Sequence, residues 1–325
     1  MPKTMELVPI KRLELYAGRA HPELAQEIAD HLGVPLQEAN LKNFPNGEIH
    51  CRFGDSVRGT DVFILQTHSW PVNDSIMEQL IMIDAAKRAS AKRITAVRPY
   101  YGYSRQDRKV WGREPITAKL VADMLRVAGA NRIMSVDLHS GQIQGFFDGP
   151  VDHLLAMPVL VDYIREQGAD DPVIVAPDAG RVRVAERFTQ TLHADLAIVH
   201  KRRPKEGKVQ ARDVVGEVEG RLCILVDDMI DTAGTVCAAA ELLSGAGATE
   251  VWAMATHGIL SDPAIDRLKN SVISRVAITN TLPLAQDRLI DKIEVLSVAS
   301  IIGDAIDAVF EDTSVSEIFG GENQA

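Results

Sequence analysis

One stretch, Arg221 to Thr235 (RLCILVDDMIDTAGT), limits the possible folds of this chain more than any other. Leu222 to Val226 form a short apolar run, the signature of a strand buried on both faces of a parallel sheet. Two carboxylates follow, Asp227 and Asp228, then a third at Asp231, before Thr232-Ala233-Gly234-Thr235 opens into VCAAAELL. There Val236, Ala239, Ala240 and Leu243 share one helical face. A strand, a tight loop and a helix start form an anion-binding device. The first N–H groups of a helix lack intrahelical partners, and its positive end favours phosphate. Gly234 lets the backbone approach the anion, and the threonine hydroxyls add donors.

Acids beside a phosphate site need a separate role. Carboxylates repel phosphate but accept hydrogen bonds from paired hydroxyls and help to place magnesium. Acids first and Thr-Ala-Gly-Thr second suit a ligand with a diol at one end and a phosphate at the other, as in a ribose phosphate. The plainer alternative is a turn whose Asp and Thr merely cap the helix. Three acids plus the Gly-Thr ending exceed that need. The stretch resembles the phosphoribosyl-diphosphate loop of the type I phosphoribosyltransferase fold.

Composition sets the class. A chain of 325 residues, 46% hydrophobic and 25% charged, is globular and long enough for two domains. Its net charge of -10 argues against general nucleic-acid binding. Cys51, Cys223 and Cys237 form no Cys-x-x-Cys pair and read as small reduced residues. The start, MPKTMELVPI, has no long apolar core, and no run reaches membrane-spanning length. A soluble, cytoplasmic protein is expected.

Strands and helices alternate through both halves. Leu13–Ala17, Asp61–Thr67, Ile94–Val97 and Arg132–Asp137 read as strands; Pro22–Leu32, Ile76–Ala89, Ile116–Val127 and Met157–Gln167 read as helices. PVIVAPD, VWAMATHG, RVAITNT and KIEVLSV continue the pattern, which implies parallel sheets with helices on both faces. An internal repeat aligns DVFILQTHSWPVNDSIMEQLIMIDAAKRASAKRITAVRPYYG with RLCILVDDMIDTAGTVCAAAELLSGAGATEVWAMATHG. Only the second copy has the acids and the Gly-Thr ending. The expected fold is therefore α/β: two tandem type I phosphoribosyltransferase-like domains, 1–152 and 153–325, each a mostly parallel sheet flanked by helices.

Four further stretches carry chemistry. Phe44-Pro45-Asn46-Gly47-Glu48 is a turn signal, by itself no more than a hairpin tip. Arg98 to Lys109 (RPYYGYSRQDRK) follows a strand with aromatics that could stack a base and cations that could neutralise polyphosphate, or it is simply a solvated basic loop. His139 in Asp137-Leu138-His139 and Asp178 after VIVAP stand at carboxyl ends of strands, where open α/β sheets bind ligands. His200 to Lys208 (HKRRPKEGK) reads as a charged surface loop or as a mobile lid carrying cations.

Taken together, RQD, DLHS-x-QIQGFFD, PDAG, KRRP and DDMIDTAGT resemble the ribose-phosphate pyrophosphokinase (phosphoribosyl pyrophosphate synthetase) family, phosphate- and ADP-regulated class, over nearly the whole chain. The resemblance implies transfer of the diphosphoryl group of ATP to the C1 hydroxyl of ribose 5-phosphate. It implies ATP binding by Phe44, Asn46, Gly47, Glu48, Arg105 and Gln106, and metal binding by His139 and Asp178, with two magnesium ions. Lys201 and Arg203 match catalytic positions. Arg203, Asp227, Asp228, Asp231, Thr232, Ala233, Gly234 and Thr235 match the ribose 5-phosphate site. Ser56, Arg58, Ser314 and Ser316 match regulatory phosphate segments, with phosphate and ADP as effectors of a homo-hexamer. No nucleic-acid or membrane partner is expected. Arg181 stands where many members have a second glycine after Pro-Asp-Ala-Gly, and Ser104 where many have alanine. The competing readings are a phosphoribosyltransferase, which needs neither the ATP stretches nor a second domain, and a non-catalytic regulatory subunit, which would be expected to lose reacting-site residues.

Overall fold

The computed structural model describes residues 11–202 and 211–321. Within these, the chain forms two compact α/β units, residues 11–135, 140–153 and 302–321 in one and 136–139 and 154–301 in the other.

In chain order the first unit carries β1 (Leu13–Ala17), β2 (Leu36–Gln37), a hairpin of β3 (Ala39–Asn43) and β4 (Ile49–Phe53), then β5 (Asp61–Leu65), β6 (Arg93–Arg98), β7 (Arg132–Val136) and β8 (Val151–Leu154). Its sheet runs β2-β1-β5-β6-β7-β8, and β1, β5, β6 and β7 are mutually parallel. The second unit carries β9 (Val173–Ala176), β10 (Asp195–Arg202), β11 (Ala211–Val215), β12 (Leu222–Ile230), β13 (Glu250–Gly258), β14 (Arg275–Thr279) and β15 (Ile293–Leu296). Its sheet order is β11-β10-β9-β12-β13-β14-β15, parallel except where β11 folds back against β10. The two aligned copies of the repeat occupy equivalent places. β5 and β6 are parallel neighbours in one sheet, as β12 and β13 are in the other.

Helices form where the spacing predicts them, with shifted ends. The helix Pro22–Leu32 begins with proline at a first-turn position, where the missing N–H costs nothing, and stops at left-handed Gly33. The helix Val72–Arg88 starts four residues earlier than the apolar period suggests, because Asn73, Asp74 and Ser75 form a polar first turn. The strand β12 shows why its apolar run is continuous. Cys223 and Leu225 enter one core with Val175 and Val199, while Ile224 and Val226 enter the opposite core with Trp252 and Met254. Each such side chain contributes about 1.5–3 kcal/mol by leaving water. Cys223 and Cys237 are buried and unpaired, as expected.

Residues 302–321 belong to the first unit, where His31 meets Asp304 at 2.7 Å and Arg93 meets Asp312 at 2.6 Å. Residues 136–139 belong to the second. No helix of the described residues is long and apolar enough to cross a membrane.

Candidate active site

β12 does not end at Val226 as the apolar run suggests. It continues to Ile230, with Asp227 and Met229 in register with Ala255 and His257 of β13. The two acids are therefore fixed strand residues rather than loop residues. Asp231, Thr232 and Ala233 turn the chain, and the helix Gly234–Gly245 begins without any side-chain cap. The first N–H groups of a helix have no intrahelical acceptor, and at an alanine N-cap the cap side chain gives them none. The left-handed residue of this turn is Ala233, with φ 57°, rather than Gly234. Gly234 serves another purpose. A Cβ there would lie 3.1 Å from Arg267 Nη1, the group that donates to the Thr232 carbonyl at 2.8 Å. Arg267 thus adds a cation beside the loop, and no sequence pattern pointed to it. Thr232 and Thr235 are exposed, Asp231 is half-buried and Ala233 is buried.

The acids belong to a charged cluster. Asp227 Oδ1 accepts the Asp228 N–H at 2.8 Å and pairs with Arg181 Nε at 2.9 Å. Asp228 pairs through Oδ1 with Arg181 Nη2 at 2.7 Å and through Oδ2 with His139 Nδ1 at 2.7 Å. Burial works to raise the Asp228 carboxyl, but the bonds from His139 and Arg181 outweigh it and hold the group at about 2. Asp227 moves well above the usual carboxylate range, through burial first and then the neighbouring Asp228. His139 Nδ1 lies 2.7 Å from Asp228 Oδ2 and 2.8 Å from Arg181 Nη2; an ionised carboxylate can only accept, so the tautomer that serves Asp228 has Nδ1–H donating to it, with Arg181 donating to the other oxygen. That leaves the lone pair of His139 on Nε2.

His139 is delivered by an anchored turn. Asp137 has φ 35°, and its carboxylate accepts from the Ala156 N–H at 3.0 Å and the Thr256 hydroxyl at 2.6 Å. The buried His257 contacts the Asp137 carbonyl through Nε2 at 3.0 Å and Thr281 Oγ1 through Nδ1 at 2.9 Å. Burial lowers its pKa. Thr256 and His257 are positioning residues that the sequence did not single out. Asp178, half-buried, accepts the Gly180 N–H at 2.8 Å and caps the turn Ala179–Arg181 that presents Arg181. Among the described residues no three His, Cys, Asp or Glu side chains form a group able to hold a metal alone.

The basic run after LAIV is not a loop from its start. β10 extends through His200, Lys201 and Arg202, and Lys201 pairs in register with Arg212 of β11. Arg203 lies outside the described residues.

In the first unit, Phe44 to Glu48 form the exposed tip of the β3–β4 hairpin, closed by Phe44 N–H to Glu48 O at 2.8 Å and by Asn46 Oδ1 accepting the Glu48 N–H at 3.2 Å. Gly47, at φ 90°, supplies the reversal. Arg105 and Gln106 are exposed, and Gln106 Oε1 accepts the Thr117 hydroxyl at 2.5 Å. They help to line a cavity of about 470 Å³ with Trp70, Asn73, Tyr100 and Tyr103. The Phe44 tip is not among its lining residues. Asp107 of the same motif accepts from Ser140 at 2.7 Å and Gln142 at 2.6 Å, which ties RQD to the DLHS-x-Q stretch. Ser56, Arg58 and Ser314 are exposed, and Ser314 Oγ lies 2.8 Å from Oγ of the half-buried Ser316.

Known proteins resemble this chain over nearly its whole length. A family model described as the N-terminal domain of ribose phosphate pyrophosphokinase matches residues 13–129, and one described as a phosphoribosyl synthetase-associated domain matches residues 207–320. A ribose-phosphate pyrophosphokinase of Streptomyces coelicolor is 56% identical over 312 residues, covering 95% of this chain and 96% of that one. One from Bifidobacterium longum is 55% identical over 321 residues, covering 97% and 94%. The crystal structure of a phosphoribosylpyrophosphate synthetase from Mycobacterium smegmatis superposes with a TM-score of 0.89 at 54% identity, covering 93% of this chain and all of that one.

Proposed function

The chain belongs to the ribose-phosphate pyrophosphokinase family, and from that premise we infer that it transfers the diphosphoryl group of ATP to the C1 hydroxyl of ribose 5-phosphate, releasing AMP. The observation that carries the assignment to this site is the acid pair Asp227/Asp228 leading directly into the uncapped helix start at Gly234. The loop Asp231–Thr235 receives the 5-phosphate on its N–H groups and hydroxyls, helped by the Arg267 charge. Asp227 and Asp228 accept from the ribose hydroxyls and orient C1. In the other unit, Arg105 and Gln106 bind ATP at the aromatic-lined cavity, and Phe44, Asn46, Gly47 and Glu48 contribute from the hairpin tip. Lys201 and Arg203 stabilise charge on the transferring group, a role suited to cations that meet it at the transition state.

Magnesium fits the donors present. A histidine that gives Nδ1–H to a carboxylate and keeps Nε2 free has the usual arrangement of a metal ligand. Magnesium characteristically keeps several waters and is completed by substrate phosphates, so one or two side chains are enough to hold it. His139 Nε2 and the Asp178 carboxylate are the residues that would hold it. When bound, the ion supplies neutralisation of developing phosphate charge.

A cytoplasmic homo-hexamer, with phosphate and ADP acting through Ser56, Arg58, Ser314 and Ser316, belongs to the same reading. Sizing with and without phosphate, and ADP inhibition at saturating ATP, test those parts. The domains 1–152 and 153–325 are proposed as the duplicated units. The function is tested by incubating the protein with ATP, magnesium and ribose 5-phosphate. One AMP per phosphoribosyl pyrophosphate is expected, and absence of AMP would refute it.

A further inference from the structure

The Arg181 guanidinium occupies the place at the acid pair where a free cation would be expected. It spans two consecutive strand residues, with Nε at 2.9 Å from Asp227 and Nη2 at 2.7 Å from Asp228, and Nη2 also lies 2.8 Å from His139 Nδ1. A third donor, Nη1, reaches the His139 carbonyl at 3.4 Å. The side chain is only 15% exposed, so the pairing is largely shielded from solvent. Its backbone is fixed by the short turn that Asp178 caps, at the start of the helix Val182–Leu192. Arginine stays charged at any working pH, and its planar fork matches two carboxylates at once. Being part of the chain, it competes at high effective concentration with any dissolved ion.

We propose that Arg181 is the resident cation of the acid pair: it offsets the negative charge that Asp227 and Asp228 share so that they receive ribose hydroxyls without a divalent ion of their own. The inference rests on the ribose 5-phosphate reading of that pair. Arg181 is a positioning residue here, acting on the sugar through the two carboxylates. A divalent ion placed on the acids of the wild-type protein would meet a fixed positive charge within contact distance. Remove that charge, and two adjacent acids lose the cation that faces both of them, which raises their attraction for a dissolved divalent ion.

Nucleotide-free, full-length protein is titrated with Mn2+ and followed by electron paramagnetic resonance, for wild type, Arg181→Ala, Arg181→Gln and Arg181→Lys. The Ala and Gln variants are expected to gain one Mn2+ site, about tenfold or more tighter than any on wild type. The gain should vanish in Arg181→Ala/Asp228→Asn and be absent in Arg181→Lys. In kinetics the Ala and Gln variants raise KM for ribose 5-phosphate at low magnesium and recover it as magnesium rises, while kcat moves less. Melting curves identify any variant that fails to fold, and Gln, which keeps a hydrogen-bonding side chain, stands in for Ala if needed. No gain of Mn2+ in a folded Gln variant overturns the proposal. So does a wild-type Mn2+ site of equal affinity that is lost in Asp228→Asn but kept in Asp178→Asn. AMP formation by wild type reports separately on the reading beneath it: if none appears, the substrate assignment fails, while the Mn2+ titration still decides whether Arg181 is the resident cation.

Discussion

The Thr256 hydroxyl donates to the Asp137 carboxylate at 2.6 Å, fastening the turn that carries His139 to β13 across 119 positions of sequence. Thr256→Val keeps the shape and removes the donor. It should cost about 1.5–3 kcal/mol of stability, the range for a hydrogen bond to a charged group. It should also lower kcat, because His139 loses its fixed position. Denaturant melts and steady-state rates on the same preparation check both effects; an unchanged melt would mean that Asp137 is held without Thr256.

Asp228→Asn should weaken ribose 5-phosphate more than ATP. Asp228 takes both His139 and Arg181, so the substitution loosens the acid end of the site from two sides. A loss of about 1.5–3 kcal/mol, ten- to hundredfold in ribose 5-phosphate affinity, is expected. Separate binding titrations for the two substrates measure it. Equal losses would assign the residue to the fold or to a metal.

Gly102→Ala tests the ATP side. A Cβ at Gly102 would stand 2.8 Å from His68 Cβ and 3.2 Å from Val72 Cγ1, too close without displacing the loop that continues to Arg105 and Gln106. A destabilisation of about 1–3 kcal/mol, typical of overpacking, should accompany a raised KM for ATP with ribose 5-phosphate little changed. Calorimetry and kinetics together distinguish this from general unfolding.

His68 makes stability depend on pH. It is fully buried, accepts the Gly102 N–H through Nδ1 at 3.1 Å and faces Gln79 Oε1 through Nε2 at 3.1 Å. Burial, with the nearby Arg98 charge, pushes its pKa down from 6.5 to about 3. Between those values the unfolded chain binds a proton that the folded chain refuses, so stability falls as pH drops from 6.5 toward 3. His68→Asn should lower stability at pH 7 yet flatten this slope. Urea melts at stepped pH measure it, and an unchanged slope would show that other groups carry the acid sensitivity.

Lys201→Ala should lower kcat by about a hundredfold or more while both KM values move only a few-fold, by analogy with cations that meet a transferring phosphoryl group. Its backbone sits at the end of β10, paired with Arg212. Wild-type kcat in the purified variant would leave β10 with a structural role only.

Local order was legible in the sequence because it depends on neighbours in the chain. The run Leu222–Val226 had to be a strand buried on both faces, and the helix after Gly234 had to bury Val236, Ala239, Ala240 and Leu243, as both do. The repeated strand–helix–strand block likewise foretold two sheets of the same grammar. What no period or spacing carries is the pairing of groups far apart. His139 and Asp228 lie 89 positions apart, and Arg181 reaches both acids of β12 from the turn after β9. The sequence marked Arg181 as a departure from the expected glycine; only the folded chain gave it partners. The same holds for Ala233, whose left-handed backbone is set by the turn between β12 and its helix rather than by its own preference. The turn acids looked like loop residues because carboxylates are poor strand formers, yet the ladder with β13 carries β12 on to Ile230. Chain-local chemistry therefore determined the elements, while long-range packing determined which charges face one another, because Coulomb and hydrogen-bond energies depend on distance in space and not on separation along the chain.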